Sequence, residues 1–241
     1  MIVLLTDFGA SEYVGVMKGV ICSLHAEARI VDLCHDISPQ SIVEAAWILK
    51  NNYRYFPDGS VFCCVVDPGV GSERKTIAVK TESYYFIAPD NGLLWEALRD
   101  QKVVAMQELS VPADASRTFH GRDVFAHAAA RADAGPFDTL GQPIETIHEF
   151  ALYQEGREGI VVRIDHFGNI VTNLPPLDKS EYTVTIEGQQ QTIPFFPAYN
   201  EAPPETLFLI TGSNQTLELS RKNNSANQQL HTTPGQRITI A

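Results

Sequence analysis

The feature that most constrains this chain is a change of pattern near Tyr153. Before it, short apolar runs alternate with amphipathic segments, as where "IVLLTDFG" precedes "SEYVGVMKGVICSLHAEA". After it, from about residue 159, only strand-like runs separated by turns follow. Alternating strands and helices predict a sheet covered by helices, whereas strands alone predict a barrel or sandwich. The polar, glycine-containing "YQEGREG" between the two patterns predicts a linker.

These patterns predict two domains within the 241 residues, an N-terminal α/β domain over 1–153 and a smaller all-β domain over 159–241. The first sheet should be mixed, because "VFCCVVDPG", "KTIAVKT" and "YYFIAPDNGLL" follow one another without a helical segment. Helices are predicted after Ser11, over Ser41–Asn52 and over Phe125–Ala134. Ser41 and Glu44 have the spacing of a capping box.

Charge and composition exclude several classes of protein. The formal net charge is -11, and no basic cluster of the kind that binds nucleic acid occurs. No run reaches the ~18 apolar residues of a membrane span. The N-terminal "MIVLLTDFG" lacks the basic segment of a signal peptide, so we expect a cytoplasmic protein. The four cysteines form no CxxC pair, and we expect them to be reduced and mostly buried.

Polar residues gather where the predicted strands of the first domain end. They are Asp7, Asp36, Asp67 with Arg74, Asp90 with Asn91, and the segment "FHGRD" at 119–123. The carboxyl ends of strands form the ligand crevice of open α/β sheets. Turn chemistry alone favours Asp, Asn and Gly, but five such positions in one domain indicate a genuine site.

Two of these segments carry residues suited to catalysis. The turn "VDPGVGSER" holds Asp67 and Arg74, which are either a surface ion pair or part of a site, and the spacing leaves both open. It is not a phosphate-binding loop, because GxxxxGK[ST] is absent. His120 lies just before a predicted helix, and histidine is the usual proton-transfer group near neutral pH. Asp123 would cap that helix or pair with Arg122.

A third segment, "DHFGN" at 165–169, lies in the second domain. Asp165 can pair with an ammonium group, Phe167 can stack on a base, and Asn169 offers the donors and acceptors that read an adenine edge. A plain β-turn built on Gly168 is the alternative, and turn frequencies favour it when the segment is taken alone.

Taken together, the motifs resemble the S-adenosyl-L-methionine (SAM) hydroxide adenosyltransferases, or SAM hydrolases, which are related to fluorinating and chlorinating enzymes. The segments that carry the resemblance, in order, are "LLTDFG", "DLCHDISPQ", "FPDGSVFCCVVDPGVGSER", "APDNGLL", "TFHGRDVFA", "IDHFGNIVTNL" and a degenerate "GSNQTLELSRKNNSA". The resemblance implies a Rossmann-like N-terminal domain and a C-terminal β-barrel. It also implies a homotrimer, whose active sites lie between the N-terminal domain of one subunit and the C-terminal domain of its neighbour.

The resemblance also implies a reaction, in which water or hydroxide displaces L-methionine from C5′ of SAM and yields adenosine. SAM is then a substrate, and neither a cofactor nor a metal is implied. The implied catalytic set is Asp67, Arg74 and His120, and which of Asp67 and His120 takes the proton stays open. The implied substrate contacts are Asp7 for the ribose hydroxyls, Asp165 for the methionine ammonium, Phe167 and Asn169 for adenine, Arg221 near adenine, and Ser213 for the methionine end.

Three other functions stay open at this point. A metal-dependent nucleotide phosphatase would gather a divalent ion on Asp7, Asp67 and Asp90, although the usual paired acidic residues are missing, since position 8 is Phe. A non-catalytic module would bind adenosine or SAM without turnover. A SAM-dependent halogenase would use a halide in place of water.

Overall fold

The computed structural model describes all residues, 1–241. The chain divides into two compact units, Met1–Ala151 and Leu152–Ala241, and each is described by itself. No helix combines the length and the apolar character that crossing a membrane requires.

The N-terminal unit is built on one seven-stranded sheet. Its strands are β1 (Ile2–Thr6), β2 (Ile30–Cys34), β3 (Val61–Val65), β4 (Thr76–Thr81), β5 (Tyr85–Pro89), β6 (Val103–Leu109) and β7 (Gly141–Pro143). The strand order is β2-β1-β3-β5-β4-β6-β7. The first four strands in this order run parallel, whereas β4, β6 and β7 pair antiparallel, so the prediction of a mixed sheet is confirmed. The likeness to a Rossmann fold stays a prediction.

Helices cover both faces of this sheet. They are α1 (Glu12–Leu24), α2 (Ile42–Asn52), α3 (Trp95–Leu98) and α4 (Ala126–Ala134), with 3-10 turns at Tyr53–Tyr55 and Phe137–Thr139 and a π-helical turn at Gly121–Phe125. Helices α1 and α4 pack on one face, and α2 and α3 on the other. The adjacent Cys63 and Cys64 point into opposite cores, as side chains on a strand alternate. Burial raises the pKa of the Cys63 thiol to about 12.

Two details of this unit differ from the sequence predictions. The expectation that the cysteines are mostly buried is wrong for Cys22, which is exposed. The capping box of α2 forms only in part: Ser41 Oγ accepts from the Glu44 N–H at 3.3 Å. The Glu44 carboxylate accepts instead from the N–H of Ser38 at 2.9 Å, because the Ser41 N–H is already bonded to the Ser38 carbonyl.

The C-terminal unit is an antiparallel, nearly closed barrel-like sheet. Its elements are β8 (Glu158–Ile164), β9 (Ile170–Thr172), β10 (Glu181–Ile186), β11 (Gln189–Pro194), β12 (Leu207–Thr211), β13 (Leu217–Arg221), β14 (Arg237–Ile240) and the short α5 (Ala226–Leu230). The order is β11-β10-β14-β8-β9-β13-β12. A bond of 2.9 Å from the Phe196 N–H to the Leu209 carbonyl links the segment after β11 to β12. The predicted all-β character is confirmed, apart from α5.

Candidate active site

Two of the predicted site carboxylates follow neighbouring parallel strands of the first sheet. Asp7 comes directly after β1, and Asp67 comes two residues after β3. The two strands pair in parallel with Thr6 opposite Val65, so both carboxylates lie beyond the same edge of the sheet. This edge is where an open α/β sheet forms its ligand crevice.

The turn after β3 folds back on itself and brings Arg74 to Asp67. The Val70 N–H bonds the Asp67 carbonyl at 3.2 Å, and Ser72 Oγ donates to the Gly69 carbonyl at 2.7 Å. Gly71 has a φ of +75°, and a Cβ there would lie 2.3 Å from the carbonyl oxygen of Arg117. Only glycine combines an unstrained positive φ with the absence of a Cβ, so Gly71 lets the turn pack against the loop that leads to His120.

Arg74 is the centre of a buried cluster of three side chains. Its Nε donates to Asp67 Oδ1 at 2.9 Å, and its Nη2 donates to Asp67 Oδ2 and lies 2.9 Å from His120 Nδ1. The side chains of Arg74 and Asp67 are only 10% and 6% exposed, and His120 is 5% exposed. The alternative of a surface ion pair is therefore wrong. The guanidinium also stacks over the Phe125 ring, 5.4 Å from its centroid.

The hydrogen bond from Arg74 decides which nitrogen of neutral His120 carries the proton. A guanidinium has donors only, so His120 Nδ1 must accept and Nε2 must hold the hydrogen. Burial lowers the pKa of His120, and the positive charge of Arg74 lowers it further, outweighing the opposite influence of Asp67 and Asp123. At neutral pH the imidazole is therefore uncharged and offers an N–H donor at Nε2.

Arg74 keeps one unused donor group. Its Nη1 is buried and has no hydrogen-bond partner in the protein. Buried polar groups are almost always paired, so an unpaired guanidinium nitrogen beside a carboxylate and an imidazole indicates a place for a ligand oxygen. Such an oxygen would accept from a buried cation that Asp67 and His120 also contact.

His120 is held by the segment that starts the helical region before α4. It stands directly before the π-helical turn Gly121–Phe125, which the sequence did not predict. The Arg122 guanidinium pairs with Asp123, whose Oδ2 also accepts from the Ser116 N–H at 2.8 Å. Asp123 therefore ties down the preceding loop, and Arg122 serves as its partner. A nearby histidine on α4, His127, is exposed.

Three other polar residues at the strand ends, Asp7, Asp90 and Asn91, have structural partners. Asp7 Oδ2 accepts from the Gln40 N–H at 2.7 Å, and Asp90 Oδ1 accepts from the His148 N–H at 2.7 Å. Asn91 donates to the Val66 carbonyl at 2.9 Å. No group of three His, Cys, Asp or Glu side chains has a spacing that could hold a metal ion. Asp7, Asp67 and Asp90 are thus not gathered as the phosphatase alternative requires.

A second cluster of predicted residues lies around a cavity of about 780 Å³ in the C-terminal unit. The residues that line it include Asp165, Phe167, Asn169, Tyr199, Arg221 and Asn223. Phe167 is 75% exposed, which leaves its ring available for stacking. Asp165 Oδ1 accepts from the N–H groups of Phe167 and Asn169 at 2.9 and 2.8 Å, so the "DHFGN" turn is held by its own carboxylate.

The two other predicted contacts of this unit differ in position. Arg221 lines the cavity and pairs with Glu205, with 3.1 Å between Nη2 and Oε2. Ser213 lies in the exposed turn between β12 and β13, outside the cavity lining. Four of the six predicted substrate residues thus surround one cavity, whereas Ser213 and Asp7 do not.

Tyr199 and Glu218 belong to this cluster but were missed in the sequence. Tyr199 Oη lies 3.4 Å from Asn169 Nδ2 and 3.4 Å from Glu218 Oε2. Glu218 is only 8% exposed, and burial together with the negative charge of Asp165 raises its pKa. A charged residue alternating with leucines in "TLELS" was the available signal, because such a residue on a strand is either exposed or has a specific partner.

Comparison with known proteins identifies both units. Residues 2–141 match the family model of the SAM hydroxide adenosyltransferase N-terminal domain, and residues 159–239 match that of the C-terminal domain. An (R)-S-adenosyl-L-methionine hydrolase of Thermus thermophilus is 33% identical over 98% of this chain and 97% of its own length. One of Methanocaldococcus jannaschii is 40% identical over 72% of this chain and 66% of its own length.

More distant relatives and a solved structure agree with these matches. A fluorinase of Actinopolyspora mzabensis is 29% identical over 72% of this chain and 71% of its own length. A crystal structure of an uncharacterized conserved protein from Thermotoga maritima shares 32% identity and a TM-score of 0.91, with 100% of both chains covered. Since the two family models together span most of its length, the chain belongs to the SAM hydroxide adenosyltransferase family.

Proposed function

We propose that this protein hydrolyses SAM to adenosine and L-methionine by attack of water or hydroxide at C5′. The observation that carries the proposal is the buried cluster of Asp67, Arg74 and His120, in which one guanidinium nitrogen of Arg74 has no partner in the protein. The names of the relatives, (R)-S-adenosyl-L-methionine hydrolase, agree with it.

The chemistry of this reaction matches what the cluster offers. A bond forms between the water oxygen and C5′, and the C5′–S bond breaks with its electron pair moving to sulfur. The sulfonium thereby becomes the neutral thioether of methionine, so no general acid is needed. The nucleophile is the difficulty, because free water attacks poorly unless it is positioned and relieved of a proton. Attack by an anion on a cation neutralises charge, which a dry pocket favours.

The geometry supports a division of roles among the three residues. Arg74 Nη1 would hold the attacking oxygen as negative charge develops on it. His120 would donate its Nε2–H to the same oxygen, because its Nδ1 is occupied by Arg74. Asp67 is then the one member with acceptor lone pairs, so we assign the proton of the attacking water to it.

The substrate contacts in the proposal are those that the family resemblance implies. Asp7 would bind the ribose hydroxyls, and Asp165 the ammonium of the methionine part. Phe167 and Asn169 would stack on and hydrogen-bond the adenine. Arg221, although paired with Glu205, lines the same cavity and would lie near the base. Ser213 would contact the methionine end.

One incubation tests the activity. Purified protein and SAM should give adenosine and methionine in equal amounts, measured by liquid chromatography. Release of a 5′-halo-5′-deoxyadenosine in halide buffer would show a halogenase instead. Loss of turnover with a chelator would favour the metal-dependent alternative. Tight adenosine binding without any product would favour a binding module.

We also propose that the active sites are shared between subunits of a homotrimer. Asp67, Arg74 and His120 would come from one subunit, and Asp165, Phe167 and Asn169 from its neighbour. The support for this arrangement is the family resemblance.

Mixing two inactive variants tests that arrangement. His120→Asn and Asp165→Asn proteins are unfolded, mixed in equal amounts and refolded together. With shared sites and random assembly, about one quarter of the sites combine two intact halves, so activity returns to roughly that fraction of the wild-type value. Sites built within single subunits would leave the mixture inactive. Wild-type protein carried through the same refolding is the control.

A further inference from the structure

The side-chain amide of Asn169 donates both of its protons to other residues of the protein. Its Nδ2 donates to Asp165 Oδ2 at 2.8 Å and to Tyr199 Oη at 3.4 Å. The Tyr199 hydroxyl in turn donates to Glu218 Oε2 at 3.4 Å. A carboxylate only accepts hydrogen bonds, so the atom of the Asn169 amide that contacts Asp165 must be the nitrogen. The opposite orientation of the amide would place two acceptor oxygens against each other.

This arrangement leaves one polar atom of Asn169 for a ligand. The amide oxygen Oδ1 accepts no hydrogen bond within the protein, whereas Nδ2 has no proton left. Asn169 lines the cavity beside Phe167. A base stacked on Phe167 therefore meets a hydrogen-bond acceptor at Asn169 and no donor.

Glu218 holds the far end of this chain. It lies on β13, opposite Val171 of β9, and a Cβ on Gly212 would approach its Oε1 to 1.8 Å. The carboxyl therefore fills the space that a side chain at position 212 would need. Whether ionised or protonated, a carboxyl keeps an acceptor oxygen for the Tyr199 hydroxyl. Tyr199 is 48% exposed, so this bond and the edge contact with the Phe208 ring orient it.

We propose that Tyr199 and Glu218 are positioning residues that make Asn169 select a 6-amino purine over a 6-oxo purine. The Tyr199 hydroxyl oxygen accepts the second amide proton of Asn169. Glu218 accepts the hydroxyl proton of Tyr199 and so keeps the hydroxyl oxygen directed at Asn169. The 6-amino group of adenine donates to the free Oδ1, whereas the 6-oxo group of hypoxanthine opposes it with a second acceptor. The inference rests on the proposed function, since SAM supplies an adenine.

Nucleoside binding to the full-length protein tests this inference. Isothermal titration calorimetry gives the Kd for adenosine and for inosine, and the ratio of the two is the readout. Tyr199→Phe keeps the ring but leaves one amide proton of Asn169 without an acceptor, so the amide is free to turn and donate that proton to the 6-oxo group. We expect wild-type protein to favour adenosine by tenfold or more and Tyr199→Phe to reduce that ratio by about five- to tenfold.

Two further variants serve as controls. Glu218→Gln keeps the shape and an acceptor oxygen, so the ratio should stay near the wild-type value. Tyr153→Phe removes a comparable tyrosine–glutamate bond, 3.2 Å from Oη to Glu155 Oε2, among residues that do not line the cavity. A merely structural role of Tyr199 would weaken both nucleosides alike and leave the ratio unchanged.

The outcomes separate this inference from the proposed function. An unchanged ratio in Tyr199→Phe, or a wild-type protein that binds both nucleosides equally, would overturn the inference while SAM hydrolysis stands. A wild-type protein that binds neither nucleoside and does not turn over SAM would overturn both. The inference is supported if the preference for adenosine over inosine falls in Tyr199→Phe and stays at the wild-type value in Glu218→Gln and Tyr153→Phe.

Discussion

Replacing Arg74 by glutamine is expected to abolish detectable SAM turnover and to destabilise the N-terminal unit. The guanidinium is the one partner that both Asp67 and His120 share, and its buried Nη1 is the donor proposed for the attacking oxygen. Removing a member of such a unit costs nearly as much as removing all of it. The rate of adenosine release, measured by chromatography at saturating SAM, checks the catalytic part.

The loss of stability has a separate cause. Arg74→Gln leaves the Asp67 carboxylate, whose side chain is 6% exposed, without its cation. Breaking a buried pair on one side destabilises a protein by roughly 3–5 kcal/mol, because the remaining charge stays desolvated. Urea unfolding followed by circular dichroism measures this free energy.

Two controls make the Arg74 result interpretable. Lys102→Gln breaks a pair with Glu82 whose side chains are 75% and 60% exposed, and it should leave both turnover and the unfolding midpoint unchanged. The double variant Asp67→Asn with Arg74→Gln removes both charges, and it should recover part of the stability but none of the activity. An Arg74→Gln protein that still turns over SAM at the wild-type rate would exclude the proposed mechanism.

Replacing His120 by asparagine should lower kcat/KM for SAM by about 10²–10³ while the fold persists, because one donor to the attacking oxygen is lost. The asparagine oxygen can still accept from Arg74, as His120 Nδ1 does, but the Nε2–H donor is lost. The variant thus separates the proposed contact with the attacking oxygen from the support that His120 gives to Arg74. A matched control is His127→Asn, since His127 is exposed and should be replaceable without effect.

The pH dependence of the wild-type protein gives a second measurement on His120. Burial and the charge of Arg74 lower its pKa below the ordinary 6.5, so the neutral form prevails at neutral pH. As the pH falls through this lowered value, Nδ1 gains a proton, cannot accept from Arg74, and adds a second positive charge beside it. We expect kcat/KM to fall on the acid side with a midpoint below 6.5. A midpoint above that value, or an identical acid limb in His120→Asn, would contradict the assignment.

Much of the fold is predictable because it depends on local patterns. Ser41 begins α2 as the pattern indicated, since a cap needs only its own side chain and an N–H three residues later. The second bond of the capping box, from the Ser41 N–H to the Glu44 carboxylate, does not form. The carboxylate accepts instead from the N–H of Ser38 in the preceding turn. On α1, Val14, Met17 and Ile21 are buried, whereas the equally apolar Tyr13 is 45% exposed. Periodicity shows that a helix has an apolar side, but not how much of that side its neighbours cover.

The candidate site shows the same limit. Its members Asp67, Arg74 and His120 could be named from motifs and their order, yet spacing left a surface ion pair equally open. The burial of the pair decides against a surface ion pair, and His120, which contacts Arg74, comes from 46 residues along the chain. Tyr199 and Glu218 belong to no motif, and their role is indicated by the bonds that link Asn169 to Tyr199 and Tyr199 to Glu218.

By itself, then, the sequence determined the two-part organisation, the mixed first sheet and the strand-end position of Asp67, because these follow from hydrophobic periodicity and turn chemistry within short segments. Only the tertiary structure decided that the Asp67–Arg74 pair is buried, which nitrogen of His120 carries the proton, and which atom of Asn169 is free. The physical reason is that burial and hydrogen-bond direction depend on groups that folding brings together from distant segments.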